Sequence, residues 1–239
     1  QRQMCIRDRY AFITRIKGEF FMSETLSKEA TQLLYQYFDA AANLYGVIPL
    51  RTLLRIYNSQ NEPISEDDFV KFVESIYLDI KCYSIFATDE LFPNPPKIKT
   101  IDKNLVAENL CLGNCDEYFD MIELQKGKPY YIPDKKQLLK YATDGYFEKT
   151  LEFISLRAFL RNLPNLEKEE ADILADDIQL IISIEKGSLT LAIQRAAQFG
   201  LDFDNASIRS EFSKLCNDLC NHTRMNMHCG HTPAELYNI

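Results

Sequence analysis

The chain has 239 residues, long enough for one large domain or two small ones with a buried core, and it is 46% hydrophobic and 26% charged, as ordinary globular proteins are. A formal net charge of −8 and a pI of 5.0 disfavour non-specific binding to nucleic-acid phosphates or anionic lipid. No apolar run approaches the ~20 residues of a membrane span, and no signal-peptide pattern is found. Seven cysteines without framework spacing point to free thiols in a reducing cytoplasm.

The opening "QRQMCIRDR" resembles a translated sequencing-adapter peptide, which places Gln1 to Arg9 outside the natural protein and a native start at Met22. The alternative is a disordered N-terminal arm. From Ser27 onward Ala30, Leu33, Leu34, Tyr37, Phe38, Ala41, Leu44 and Tyr45 form an amphipathic helical stripe that Gly46 ends. "VIP" reads as a short extended piece. Pro49 suits a first helical turn, and Leu50, Leu53, Leu54 and Tyr57 share one face. Ser65 with Asp68 then caps a helix carrying Phe69, Phe72, Val73, Ile76 and Tyr77. "CYSIFA" is a strand candidate, aromatic and β-branched.

"FPNPPKIKT" predicts a linker, since its clustered prolines continue neither helix nor ladder. A short helix is expected around Leu105 to Leu110, and another at "DEYFDMIEL". "QKGKPYYIP" reads as a turn into a short strand, and Asp134 with Gln137 caps the helix "KKQLLKYA". The second half holds four helical segments, "LEFISLRAFLRN", "EKEEADILADDIQLIISI", "SLTLAIQRAAQFG" and "NASIRSEFSKLCNDLCN". Gly187 and Gly200 are placed to close the middle two. No repeat of helical-array length is present.

The order helix, extended "VIP", helix, helix, strand in the first half is that of a winged helix-turn-helix. Its recognition helix would be "SEDDFVKFVESIYLDIK", with five acids and two lysines, a poor match to a phosphate-lined groove. The expected fold class is mainly α, with a winged-helix-like N-terminal half and one or two short strand pairings. The expected organisation is a non-native or disordered extension over 1–23 and a winged-helix-like subdomain over 24–92. A linker with short elements over 93–133 and a C-terminal helical subdomain over 134–239 complete it.

No catalytic signature is present: there is no phosphate loop, nucleophile elbow, H-E-x-x-H or C-x-x-C. Adjacent acids such as Asp67/Asp68 and Asp176/Asp177 splay about 100° apart on a helix and read as solvated. "CLGNC" at 111–115 is a lone C-x3-C. One stretch, "CNDLCNHTRMNMHCGHTPAEL", holds all three histidines and three of the seven cysteines. Cys216 and Cys220 on one helical face, with His228 and His231 from the following turn, form a C-x3-C…H-x2-H zinc candidate. Against it, Cys216 and Cys220 flank the stripe Ile208, Phe212, Leu215 and Leu219, where a free thiol behaves as a small hydrophobe. "GHTPAEL" reads as a helix start, with Gly230 in the turn, Thr232 as N-cap, Pro233 at N1 and Glu235 completing a capping box.

"NHTRMNMHCGHTPAEL", "NLYGVIPLRTLLRIYNSQNEPISEDDF" and "QKGKPYYIPDKKQLLKYA" resemble segments of an uncharacterised helical protein family of Gram-positive gut-type bacteria, over roughly Leu33 to Leu236. Some of its members continue into a cysteine-rich SEC-C zinc motif, which is not found within these residues. The positions that the resemblance marks as recurring are Asn221, Thr223, Arg224, Gly230, His231, Thr232 and Pro233. The cysteines at 216, 220 and 229 fall outside them, which favours scaffold over zinc. The recurring positions are expected either to present a surface to a partner or to tie the long helix to the last turn through Asn221 and Arg224. The second reading is preferred.

The leading expectation is a cytoplasmic, non-enzymatic protein-interaction or regulatory module with an unknown protein partner, no membrane association, no cofactor and no catalytic residue. A nucleic-acid-associated regulator using the winged-helix-like half is the alternative, and a zinc-binding protein is third.

Overall fold

The computed structural model describes residues 26–77, 81–112, 115–184 and 187–237, and the adapter-like peptide and the Met22 start lie outside the described residues. The chain is mainly α-helical with one three-stranded antiparallel sheet. Contacts divide it into two units, 26–126 with 132–146, and 127–131 with 147–237.

The first unit begins with α1 (Lys28–Tyr45), where the Ser27 hydroxyl accepts a hydrogen bond from the Ala30 N–H. Leu34, Tyr37, Phe38, Ala41, Leu44 and Tyr45 are buried, which is the predicted stripe, and Gly46 ends the helix at a φ of 69°. β1 (Val47–Pro49) leads into α2 (Leu50–Gln60), and Ser65 caps α3 (Glu66–Ile76) by accepting from the Asp68 N–H. β2 (Tyr83–Phe86) and β3 (Asn104–Ala107) complete a sheet ordered β1-β3-β2, with Val47 opposite Val106 and Ile85 opposite Leu105. Phe38 meets Phe69, Phe72 and Tyr83 at ring-centroid distances of 5.7, 5.4 and 5.8 Å, which joins α1, α3 and the sheet in one core. α4 (Asp116–Gln125) is tied in where Gln125 donates to the Tyr45 carbonyl. Asp134 caps α5 (Lys135–Leu138), and a 3-10 turn over Leu139–Ala142 continues it.

Two predicted elements are corrected. The short helix expected at Leu105 to Leu110 is strand β3 followed by a 3-10 turn over Glu108–Cys111. Leu105 and Val106 are fully buried at the centre of the sheet, and the three-residue apolar run Leu105–Ala107 carries no periodicity that separates helix from strand. The strand expected in "QKGKPYYIP" does not form: Pro129 and Pro133 have no N–H to give to a ladder, and the Tyr131 N–H between them goes to the Cys229 carbonyl. The contact division also differs from the partition at 92/93 and 133/134: β3 and α4, assigned to a linker, pack into the first unit.

In the second unit Thr150 caps α6 (Leu151–Arg161), and α7 (Lys168–Ile184) follows. Ser188 caps α8 (Leu189–Gln198), Asn205 caps α9 (Ala206–His222), and α10 (Pro233–Tyr237) ends the described chain. Phe153, Leu156, Leu174, Ile178, Ile182, Ala196, Phe212 and Leu219 form its core. Gly187 and Gly200 close α7 and α8 at φ of 74° and 85°, as the sequence predicts. Gly187 is doubly required, since a Cβ there would stand 2.6 Å from the Cys220 sulfur.

Candidate functional site

Arg224 anchors the loop that carries Gly230, His231, Thr232 and Pro233. α9 ends at His222, and Thr223 turns its hydroxyl back to the Leu219 carbonyl (2.8 Å) while accepting from the buried Gln179 amide. The next side chain, Arg224, is 12% exposed and uses four of its five N–H donors. Its Nε donates to Glu148 Oε1 (3.0 Å), its Nη1 to the Gly230 carbonyl (3.2 Å) and to Glu235 Oε2 (2.9 Å), and its Nη2 to Glu235 Oε1 (3.1 Å). The guanidinium also lies over the Tyr131 ring at 3.5 Å from the centroid. Burial disfavours the Arg224 cation, but the hydrogen bonds and charges of Glu235 and Glu148 outweigh it and raise its pKa. Burial pushes Glu235 up, yet the hydrogen bonds from Arg224 and the Thr232 N–H hold it below the usual carboxylate value.

The loop that Arg224 anchors is closed by its own backbone. The Met225 N–H donates to the His231 carbonyl, and the Gly230 N–H donates to the Met225 carbonyl. Cys229 and Gly230 both take left-handed backbone, at φ of 51° and 82°. The predicted capping box is present: the Glu235 N–H donates to the Thr232 hydroxyl, and the Thr232 N–H donates to Glu235 (both 3.2 Å).

The strap 127–131 clasps this loop. The Tyr131 N–H donates to the Cys229 carbonyl (3.0 Å), and the Lys128 ammonium donates to the Met227 carbonyl (2.9 Å) and to His228 Nδ1 (3.1 Å). Because an ammonium only donates, His228 carries its proton on Nε2 and is neutral. Burial, then the Lys128 charge and His231, lower its pKa to about 4. Two of the sequence segments singled out by resemblance therefore meet in space. Sequence reasoning placed Lys128 and Tyr131 only within a turn-and-strand segment, and it did not single out Glu148, which belongs to none of the quoted motifs.

The zinc candidates do not converge. Among the described residues no group of three or more His, Cys, Asp or Glu side chains is arranged to hold a metal ion. Cys216 is 2% exposed within the apolar core, where it packs as a small hydrophobe and burial pushes its thiol pKa up to about 12. The Cys220 sulfur packs over Gly187, His228 is engaged by Lys128, and His231 points Nδ1 at Glu235 (3.3 Å). Asn221, expected to help tie the helix to the turn, makes no side-chain hydrogen bond among the described residues; Arg224 and Thr223 hold that junction without it.

The motif thus builds a clasp. Leu151, Ile154, Leu191 and Tyr237 are exposed elsewhere in the second unit, and on α7 three exposed aliphatics fall in line. Ile173, Leu180 and Ile184 are 53%, 54% and 48% exposed. At about 100° per residue they fall in one stripe, opposite the face carrying Leu174, Ala175, Ile178 and Ile182. Glu169, Glu170 and Asp176 border the stripe and make no ion pair with a described residue, whereas Asp177 is bound by Arg195 (2.7 Å). A sequence that is apolar around most of its circumference is the only signal of this face, and periodicity alone does not say which side is covered.

Fold and site together define a mainly helical protein whose second unit carries an arginine clasp and an apolar face of α7 that no described residue covers. Comparison with protein-family models, curated proteins and solved structures gives no match.

Proposed function

We propose that this chain is a non-enzymatic protein-interaction or regulatory module acting in the cytoplasm, and that the outer face of α7 is its contact surface. The observation that carries this reading is the line of half-exposed aliphatics Ile173, Leu180 and Ile184 on the side of α7 away from its core. Scattered exposed aliphatics need no explanation, but three in register along one helix form a strip that water solvates poorly and a partner would cover. The clasp makes a poor alternative surface, because Arg224 has few donors left for a partner.

A photoreactive residue placed at Leu180, with the same residue at exposed Glu211 as control, tests the reading in host cells. A discrete adduct with another protein from position 180 and none from 211 is expected. No adduct from 180, or the same adducts from both positions, would overturn it.

A nucleic-acid regulator is the second reading, supported by the order helix, strand, helix, helix, strand, strand in the first unit with its β1-β3-β2 sheet, the order of a winged helix. Its third helix, α3, opens with Glu66, Asp67 and Asp68, and nearby Arg51 is engaged by Glu66 and Asp102. Such a face repels phosphate, so the winged-helix-like half is better suited to protein contacts. Salt-sensitive, sequence-selective binding in a gel shift would put this reading first. Zinc binding is third, and metal analysis of the purified chain is expected to find well under one zinc per molecule.

A further inference from the structure

We infer that the outer face of α7 takes a basic amphipathic helix from a partner protein, an inference that rests on the interaction-module reading and names its occupant. The stripe spans the twelve residues from Ile173 to Ile184, or about 16 Å at 1.5 Å rise per step, the length over which two packed helices interlock side chains. Three aliphatics at about half exposure offer on the order of 300 Å² of apolar surface, well below the ~800 Å² per partner of a standard interface and suited to a single helix. That limits the occupant to one segment.

Charge selects which segment. Glu169 and Glu170 stand at the N-terminal end of the stripe and Asp176 beside its middle; Glu169 feels the Arg161 charge and Glu170 accepts from the Glu167 N–H, yet none of the three makes an ion pair with a described residue. Two arginines of neighbouring helices are already engaged, Arg195 by Asp177 and Arg161 by Asp172, and the one lysine of α7, Lys168, lies on the side of the helix away from the stripe. A second copy of this chain would bring the same carboxylates against one another, on a molecule of net charge −8. An anionic bilayer is repelled for the same reason. A helix with apolar residues at i, i+3 or i+4, and i+7, and with Lys or Arg on its flanks, covers the aliphatics and brings an ion-pair partner to the bordering carboxylates at once.

The test uses the full chain and two synthetic helical peptides sharing one leucine stripe, one flanked by lysine and the other by glutamate. The lysine-flanked peptide is expected to bind in the micromolar range, to weaken as salt rises, and to bind about tenfold more tightly than the glutamate-flanked one. Leu180→Glu should abolish binding, and the charge reversal Glu169→Lys/Asp176→Lys should weaken it by a similar factor. Circular dichroism of each variant separates lost binding from lost fold, with Ile173→Glu as the second test of the stripe. Equal binding of the two peptides, binding that survives both Leu180→Glu and Ile173→Glu, or no binding would overturn the occupant. A dimer seen by sedimentation and dissolved by Leu180→Glu would assign the face to a second copy. A host partner crosslinked at position 180 through a non-basic segment would end this inference while leaving the interaction reading in place.

Discussion

The clasp at the end of the chain and the outer face of α7 are opposites in how they use their residues. In the clasp, Arg224, Thr232 and Glu235 are joined by hydrogen bonds through Glu235, and Lys128 is held by the Met227 carbonyl and His228. On α7, three aliphatics and three carboxylates face away from the core with no ion pair among the carboxylates. Residue types associated with function are concentrated in the clasp, yet there they serve the fold. The plain residues of a surface helix are the ones left uncovered. Chemical type alone is therefore a weaker guide to function here than whether a group already has its partner.

The largest way to break this contrast is to remove the arginine. Arg224→Ala leaves Glu148 and Glu235 without their cation, the Gly230 carbonyl without a donor and the Tyr131 ring without its stacking partner. Removing one side of a mostly buried pair is expected to cost about 3 kcal/mol, read as a fall in melting temperature of roughly 6–12 °C. Arg224→Lys should restore little, because an ammonium cannot reach the two carboxylates and the carbonyl in one plane. Full stability in Arg224→Ala would mean that the clasp is ornamental and its arginine free for a partner.

Gly187→Ala comes next, at about 2 kcal/mol, combining a left-handed backbone with a clash against the Cys220 sulfur. Adding Cys220→Ala should relieve the clash and leave the backbone penalty. Additive losses in the double variant, measured by denaturant titration, would show that the two residues do not touch.

Much of this scaffold is readable from the sequence, because its signals are local. Ser27, Ser65, Asp134 and Thr232 cap the helices that follow them, and the stripe from Leu34 to Tyr45 is buried as its spacing requires. What escaped is long-range. β3 becomes a strand because β1 and β2 lie on either side of it, and Leu105 and Val106 carry no local sign of that. Lys128 and Tyr131 stand about a hundred residues from the loop they hold, where no periodicity links them. Which side of α7 stays uncovered depends on where α6, α8 and α9 pack, a property of the assembled unit.

Acid should open the clasp before the rest of the second unit. His228 has a pKa of about 4 in the folded chain against 6.5 for an ordinary histidine, so the unfolded chain binds the proton more tightly. Its contribution to stability is whole above about pH 6.5 and is withdrawn as pH falls toward 4. Glu235 acts below that window: its lowered pKa gives stability that is lost as pH drops further. Melting temperatures between pH 7 and 4 should decline by a few degrees, and His228→Gln should flatten the curve. An unchanged slope in that variant would place the proton elsewhere.

Thr232→Ala removes one bond of the capping box and leaves Arg224 on Glu235, so the expected cost is smaller, about 1 kcal/mol. If instead it matched the loss in Arg224→Ala, α10 would be positioned by its cap and the arginine would be secondary.

Leu180→Glu should have the smallest effect on stability and the sharpest effect on the comparison. The side chain is half exposed on the side of α7 away from Leu174 and Ile178, so a carboxylate there displaces no core contact. The melting temperature should stay within the ~0.5 kcal/mol expected of surface changes. The same substitution places a charge in the middle of the apolar stripe, where a docked helix would have to desolvate it without a partner. A variant that folds as well as the parent but no longer binds the lysine-flanked peptide separates the two regions in one experiment, since Arg224→Ala should do the reverse: lower stability, with binding retained at temperatures where the unit is folded. A marked fall in stability on Leu180→Glu would mean that the chain itself covers this face, and the surface proposed for a partner would then be part of the fold.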